Sequence, residues 1–234
     1  GISNWWYLIP LIIVLGNIIL SLIMYPSLPD KIPSHWDLQG NVDGYMNKSI
    51  LTALMMPAFQ LAMGVLLYFT NLFAIKSKQQ IDGKHPEISL KKNIIFRRVW
   101  SIYFLITLIL LEILFTVINM MVLGLIEDFM IQNIITFAVL AFSIIGAIIL
   151  SVKLGQGGDK IKIDEGEEPS INYDIDDDNL WKLGNSIYYN PDDPSIIVEK
   201  RIGVGWTVNG GRPLGMLLLI LPFIIIILTL FFLK

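Results

Sequence analysis

The chain has 234 residues, of which 54% are hydrophobic and 16% are charged, and its formal net charge is -3. A soluble domain carries about 25% charged residues, and the apolar excess here lies in blocks of roughly the 20 residues needed to cross a bilayer. The composition therefore excludes an ordinary soluble domain and indicates a polytopic membrane protein. The absence of cysteine excludes disulfides and thiolate chemistry.

Apolar runs predict five transmembrane helices and an all-α membrane fold. The predicted spans are residues 5–24, 50–75, 100–123, 131–152 and 214–233. Trp5, Trp6 and Tyr7 form an aromatic anchor at the start of the first span. Pro57 interrupts the second span and Pro222 lies inside the fifth. We expect both prolines to kink their helices, because neighbouring helices can satisfy the carbonyl that a proline frees.

The first span lacks a basic leader and a small-residue cleavage site, so we interpret it as a membrane helix and not as a signal peptide. The chain begins with Gly1 rather than Met. We therefore expect it to be processed or to be part of a longer protein. Residues 1–153 are predicted to form a four-helix membrane region, and residues 214–234 a fifth helix.

Basic residues predict the orientation. Segments 76–98 and 153–212 are rich in Lys and Arg, whereas loop 26–49 contains only Lys31 and Lys48, and the loop after the third span contains no Lys or Arg. This alternation places the N-terminus and segment 154–213 in the cytoplasm and loop 26–49 outside the cell.

The cytoplasmic segment is predicted to contain two parts. Residues 154–180 are Gly-rich and then acidic, which predicts a flexible linker. In residues 181–213, a strand-like run ends at Tyr189, residues 190–194 give a strong turn signal, and residues 196–198 begin a returning strand. The expected structure is a small β-hairpin appended to the membrane helices.

The outer loop is rich in proline and carries a recognisable pattern. Prolines at positions 26, 29 and 33 exclude a regular helix and favour an extended path, while Asp43-Gly44 predicts a tight turn. The strings Y-P-x-L-P-x-x-I-P-x-H-W and G-x-x-D-G-x-x-x-K, over roughly residues 8–60, resemble the bacterial domain-of-unknown-function family found in SdpI-type immunity proteins. Residues 181–212 resemble a small domain often appended to such proteins. The resemblance implies a bacterial membrane protein of the immunity type.

His35 in this loop has three interpretations. It can ligate a metal with Asp30, Asp37 or Asp43, it can transfer protons near neutral pH, or it can hold the loop in shape through hydrogen bonds. A Glu-x-x-His companion is absent, so a zinc hydrolase lacks its parts. We expect no metal and no cofactor, and the candidate ligand-binding residues of the loop are His35, Trp36, Asp37 and Asp43.

Glu112 lies in the third span, with Thr116 one turn and Asn119 two turns along the same face. A charge near the bilayer centre costs about 2.5–3.5 kcal/mol on insertion scales, so it is normally paired or functional. Glu112 is therefore either a relay or the floor of a ligand cavity, or else a hydrogen-bonded side chain that joins helices. Glu112 and Asn119 complete the candidate ligand-binding residues.

Three function classes remain. The first is a non-enzymatic protein of the immunity or signalling type that recognises an extracellular peptide or lipid-like ligand and couples to a cytoplasmic partner. The second is a small transporter or transporter subunit with Glu112 in the path, and the third is a membrane enzyme that uses His35. The first is preferred because both soluble faces are patterned, and because the sequence carries no Walker loop, no G-x-S-x-G and no internal repeat.

The expected partners follow from the same patterns. They are the lipid bilayer, an extracellular peptide, and a cytoplasmic protein or missing upstream helices. Nucleic acid is not expected, because the basic residues lie beside the spans and lack an aromatic platform.

Overall fold

The computed structural model of the protein describes residues 1–37, 39–79, 81, 85–163, 178–201 and 204–232. These residues form six α-helices and six short β-strands. The helices are α1 (Leu8–Met24), α2 (Ile50–Ala53), α3 (Met55–Lys76), α4 (Pro86–Val122), α5 (Phe129–Leu154) and α6 (Pro213–Phe232). The strands are β1 (Lys31–Trp36), β2 (Val42–Asn47), β3 (Trp181–Lys182), β4 (Ile187–Tyr188), β5 (Ile197–Glu199) and β6 (Trp206–Val208).

Four helical segments are long and apolar enough to cross a membrane, and they correspond to the first four predicted spans. They are Asn4–Ser27, Met55–Lys76, Pro86–Val122 and Phe129–Gly158. The predicted fifth span corresponds to α6, which contains Pro222 and has a shorter described apolar stretch, Pro213–Ile224. The described part of the chain is thus a mostly helical, multi-pass membrane protein with four candidate spans.

Two helix boundaries differ from the prediction. The break in the second span falls at Leu54, and Pro57 is the third residue of α3, where backbone amides need no acceptor within the helix. The predicted loop 76–98 is wrong beyond residue 85, because α4 begins at Pro86, and proline is favoured at the first helical position. With 37 residues, α4 is about 55 Å long, which exceeds the ~30 Å hydrocarbon core of a bilayer.

The chain divides into two compact units. The hairpin unit comprises residues 2–71 and 101–148, and the C-terminal unit comprises residues 1, 72–100 and 149–234. Helices α3, α4 and α5 each contribute residues to both units.

In the hairpin unit, β1 and β2 pair antiparallel, and backbone hydrogen bonds of Asp37 with Gly40 and Asn41 close the turn between them. The turn predicted at Asp43-Gly44 is wrong, because both residues lie within β2. The reversal occurs earlier in the chain because the Asp37 carboxylate accepts hydrogen bonds from the backbone N–H groups of Gln39 (2.9 Å) and Asn41 (2.8 Å). Side chains of the Asx type stabilise turns in this way.

The base of this hairpin packs on the end of α4. Ile32 is fully buried in a cluster with Leu28 and Ala53, and Val122 and Leu123 of the helix end complete it. Lys48 closes the base by donating from Nζ to the carbonyl oxygens of Pro26 (3.1 Å) and Leu28 (2.6 Å). The proline-rich loop is therefore an anchored β-hairpin.

In the C-terminal unit, the predicted hairpin around residues 190–194 has different pairing. β3 pairs with β4 and β5 pairs with β6, and a single bridge between Tyr188 and Asn209 links β4 to the end of β6. The fully buried Asn209 explains this arrangement. Its amide nitrogen donates to the carbonyl oxygens of Asn190 (2.7 Å), Asp193 (3.2 Å) and Ser195 (3.0 Å). The backbone of the turn is therefore bonded to a side chain, and the segments on either side of it do not pair as strands.

The first residues of the predicted linker 154–180 form a turn on α4. The amide of Gln156 donates to the carbonyl oxygen of Gly205 (3.1 Å) and accepts from the N–H of the same residue (2.8 Å). Gly158 has φ +89°, and a Cβ built there would lie 2.6 Å from the carbonyl oxygen of Lys92. Residues 164–177, where the flexible acidic linker is predicted, lie outside the described residues.

We expect Gly158→Ala to destabilise the C-terminal unit strongly, because the new methyl group meets backbone at a positive φ. The matched control is Gly184→Ala, which has φ +64° and no heavy atom within 4 Å of the added Cβ. The control carries only the left-handed strain of about 1–2 kcal/mol, whereas Gly158→Ala adds about 1–3 kcal/mol of overpacking. Denaturant unfolding in detergent micelles measures both free energies of unfolding, and equal losses would contradict this account of Gly158.

Candidate functional site

Polar side chains of α1 and α4 form a hydrogen-bonded row inside the hairpin unit. Asn119 donates to Ser21 Oγ (3.1 Å) and to Asn17 Oδ1 (3.3 Å). Asn17 donates in turn to Thr116 Oγ1 (2.7 Å), and Thr116 donates to the backbone carbonyl oxygen of Glu112 (2.7 Å). Asn17, Ser21 and Asn119 are buried. The row therefore joins the two helices through groups that satisfy each other away from water.

Gln60 extends the row to α3. Its Nε2 donates to the carbonyl oxygen of Glu112 (3.0 Å) and lies 3.3 Å from Thr116 Oγ1. Gln60 and Thr116 thus donate to the backbone carbonyl oxygen of Glu112 and not to its carboxyl group. Glu112 is fully buried, and neither of its carboxyl oxygens has a hydrogen-bond partner among the described residues, nor does Oε1 of Gln60. A buried acceptor without a partner is costly, so this exception needs an explanation.

A cavity of about 340 Å³ lies beside the Glu112 carboxyl group. Its walls come from α1, α3 and α4 and are mostly apolar. The apolar lining residues are Leu8, Pro10, Leu11, Val14, Leu61, Val65 and Leu108. Gly64 leaves room for the acid, since a Cβ built there would lie 3.7 Å from Glu112 Oε1. Known ligand sites have this form, which is a largely apolar cavity with few polar groups.

Two tyrosines form another part of the cavity wall. The rings of Tyr7 and Tyr68 meet edge to face with centroids 5.0 Å apart. The Tyr7 hydroxyl group is buried and has no hydrogen-bond partner in the described chain. Besides Glu112, the cavity thus offers an aromatic surface and a second unsatisfied polar group.

His35 and Asp43 meet on the hairpin. Nδ1 of His35 contacts the Asp43 carboxylate, and the two side chains are 70% and 48% exposed. A pair this exposed contributes little to stability. The position opposite His35 is Gly44, where a Cβ would come within 2.8 Å of the histidine Cβ. Within the residues described, no group of three or more His, Asp or Glu side chains is placed to hold a metal ion.

The other two loop candidates serve the hairpin itself. Trp36 packs against the cluster around Ile32. Asp37 holds the turn, and hydrogen bonds from the side chain and backbone of Asn41, together with those from Gln39 and Gly40, lower the pKa of its carboxyl group. The six predicted residues thus form two groups, one on the hairpin and one around Glu112 and Asn119 in α4.

Sequence reasoning missed Asn17, Ser21, Gln60 and Gly64. The first three are polar residues inside predicted spans, and that property alone marks them as unusual in lipid. Gly64 carried no comparable signal, because its importance comes from the side chain that lies opposite it.

A second polar cluster joins α4 to β5 in the C-terminal unit. Arg97 and Glu199 are both buried, with Nη2 of the arginine 3.0 Å from Glu199 Oε1. Asn93 donates to the same carboxyl oxygen (3.0 Å) and accepts from Arg97 Nε (2.6 Å). The guanidinium group also donates to the carbonyl oxygens of Ile75 and Ser77. A buried ion pair is tolerated when its remaining hydrogen bonds are satisfied in this way.

Lys78 makes a further contact with the small β domain. The Nζ of Lys78 lies 2.7 Å from Asp193 Oδ2, and the backbone N–H of Lys78 donates to Ile197 O (3.0 Å). The Tyr188 hydroxyl group donates to the same Asp193 oxygen (3.0 Å). Burial acts to raise the pKa of Asp193, but the hydrogen bonds from Lys78, Ser195 and Tyr188 outweigh it and lower this pKa to about 2. The same contact raises the pKa of Lys78.

Two parts of the chain match known families. Residues 12–61 match a family described as a domain of unknown function (DUF1648), and residues 191–216 match a family of unknown function (DUF5808). The first match covers most of α1, the hairpin and the start of α3, and the second covers the turn held by Asn209. No curated protein matches the chain, and no solved structure does.

We expect the docking of the small β domain to weaken in acid. Because the pKa of Asp193 in the folded protein lies below its ordinary value of about 3.9, its stabilisation is complete above that value and is lost as the pH falls towards 2. The thermal midpoint of the protein in detergent, followed by near-UV circular dichroism, should fall over this range. Asp193→Asn should be less stable at pH 7 and less sensitive to acid.

The control for this prediction is Asp192→Asn, which changes the exposed neighbouring carboxylate. It should follow the parent protein at every pH. Parallel acid curves for the parent and Asp193→Asn would refute the assignment to Asp193.

Proposed function

We propose that this protein is a non-enzymatic, multi-pass membrane protein of the immunity or signalling type, which binds a membrane-partitioned peptide or lipid-like ligand in the cavity beside Glu112. One observation carries the proposal: a fully buried carboxyl group without a hydrogen-bond partner lies at an apolar cavity. Ionisable residues inside a membrane are retained where they have a function. A ligand that supplies the missing partner gives Glu112 such a function.

The lining of the cavity supports an apolar ligand. Seven of its side chains are aliphatic or proline, and two are tyrosines. Water gains few hydrogen bonds from such walls, while a hydrocarbon group buries its surface against them. A lipid-like molecule, or an apolar side chain of a peptide, suits this lining.

The hairpin is proposed as the outer recognition surface. Its inner side is anchored by Ile32 and Leu28, while His35 and Asp43 are directed to solvent and Tyr45 is 56% exposed. An anchored hairpin with exposed polar and aromatic groups can contact an extracellular peptide without rearranging. In this proposal His35 contributes to recognition, and neither a metal nor a cofactor takes part.

The small β domain is proposed to bind a cytoplasmic partner. It is attached to α4 by the Arg97–Glu199 ion pair and to the residues just after α3 by the Lys78–Asp193 ion pair. Glu112 belongs to the same helix as Arg97. A ligand that shifts α4 can therefore alter the support of the β domain through continuous backbone.

Orientation in a bacterial cell membrane is part of the same proposal. The N-terminus, segment 76–98 and residues 178–213 are assigned to the cytoplasm, the hairpin is assigned to the outside, and α6 serves as a fifth span. Direct bonds support part of this assignment. Lys78 and Arg97 bind the β domain, which supports a common side for segment 76–98 and the β domain.

A transporter is the second candidate. The row of Asn17, Thr116 and Asn119 leads along α4 to the unpartnered Glu112, which is an arrangement found in proton and cation paths. Proteoliposomes that contain a pH-sensitive dye separate the two candidates. A proton flux that Glu112→Gln abolishes favours transport, and binding without flux favours the immunity or signalling type.

Single cysteines test the orientation on the natural cysteine-free background. Tyr45→Cys and Asp192→Cys are suitable because both parent side chains are exposed. In intact cells a membrane-impermeant maleimide should label the Tyr45→Cys variant and should label the Asp192→Cys variant only after permeabilisation. Labelling of both from the same side would overturn the assigned orientation.

A photoactivatable alkyl-diazirine alcohol tests the cavity. In nanodiscs it should crosslink to the cavity-lining segments 8–14 and 61–68, and excess unlabelled 1-octanol should compete. Gly64→Leu should abolish this crosslinking because it fills the space beside Glu112. The matched control is Leu66→Phe, which enlarges an exposed apolar position on the same helix and is absent from the cavity lining.

Crosslinks spread evenly over all spans and unaffected by Gly64→Leu would refute the cavity as a binding site. Crosslinks concentrated at the cavity, lost in Gly64→Leu and kept in Leu66→Phe, are the expected result.

A further inference from the structure

The carboxyl group of Glu112 lacks a hydrogen-bond donor among the described residues. Its two carboxyl oxygens and Oε1 of Gln60 lack partners within the described chain. Two donors close to Glu112, the amide of Gln60 and the hydroxyl of Thr116, donate to its backbone carbonyl oxygen. A ligand that brings N–H or O–H groups of its own would therefore complete the site.

We infer that the ligand of this cavity carries a protonated amine on a single apolar chain. An ammonium group supplies three N–H donors and a charge opposite to that of a carboxylate, which is the combination that the orphaned oxygens lack. The apolar lining accepts the hydrocarbon part, and the volume of about 340 Å³ lies at the small end of ligand sites, which suits one chain and not a whole phospholipid.

This inference rests on the proposed function, because it names the chemical class of ligand for the same cavity. Other ligand classes fit less well. A carboxylate or phosphate group brings more acceptors and a like charge, and a neutral alcohol brings one O–H donor. A quaternary ammonium brings charge without N–H donors, so the faces of Tyr7 and Tyr68 can attract it while the oxygens of Glu112 stay without hydrogen bonds.

Four ligands of equal chain length separate these classes. In nanodiscs of uncharged phosphatidylcholine at pH 7, octylamine, octyltrimethylammonium, 1-octanol and octanoate compete with the diazirine alcohol for the cavity. Octylamine should compete at least about tenfold better than 1-octanol, because it adds charge-assisted hydrogen bonds, and octanoate should be weakest. Octyltrimethylammonium should be weaker than octylamine, since it lacks N–H donors.

Variants assign the preference to the carboxyl group. In Glu112→Gln the advantage of octylamine over 1-octanol should fall to about one, while Glu112→Asp, which keeps a carboxyl group, should retain part of it. N-acetyl-octylamine provides a test on the unaltered protein, because acetylation removes the charge and two N–H groups. It should compete no better than 1-octanol.

An octylamine advantage that is absent from the unaltered protein, or that persists in Glu112→Gln or after acetylation, would overturn the inference. If the alcohol labels the cavity and the amine has no advantage, only the amine class is wrong. If the alcohol fails to label the cavity, both the proposed function and this inference fall.

Discussion

A polar group placed in lipid must find its hydrogen-bond partners within the protein, and the organisation of both units follows from this constraint. In the hairpin unit, Asn17, Ser21 and Asn119 satisfy one another and draw α1 onto α4. Gln60 attaches α3 to the same row through the carbonyl oxygen of Glu112. Apolar surfaces offer little preference between helices in a bilayer, so these polar contacts select which helices meet.

The C-terminal unit obeys the same rule with charges. Glu199 is fully buried at the edge of a very small β domain, and two short two-stranded sheets cannot supply a stable core alone. Arg97 neutralises this carboxylate, and Asn93 donates a further hydrogen bond to the same carboxyl oxygen. The β domain therefore depends on α4 for its stability.

Glu112 stands out because both oxygens of its buried carboxyl group lack a hydrogen-bond partner among the described residues. The side chains next to it are bonded to each other or to its backbone, while its own carboxyl oxygens remain without partners beside an apolar cavity. A helix contact alone does not account for this arrangement, since Asn17 and Asn119 already join α1 and α4 with satisfied groups. The proposed ligand completes the site with the groups that the protein does not provide.

The sequence by itself determined the first four membrane spans, the aromatic residues just before α1, the two segments that match known families and the unusual position of Glu112, because each depends on local composition or spacing. Two predictions from the sequence were wrong. The hairpin turn was predicted at Asp43-Gly44, but the hydrogen bonds of the Asp37 side chain place it earlier in the chain. The strands on either side of residues 190–194 were predicted to pair with each other, but the side chain of Asn209 binds the turn between them. Only the tertiary structure decided the partners of Asn17, Gln60 and Glu199. Their hydrogen bonds join residues 99, 52 and 106 positions apart, and no local pattern specifies such contacts.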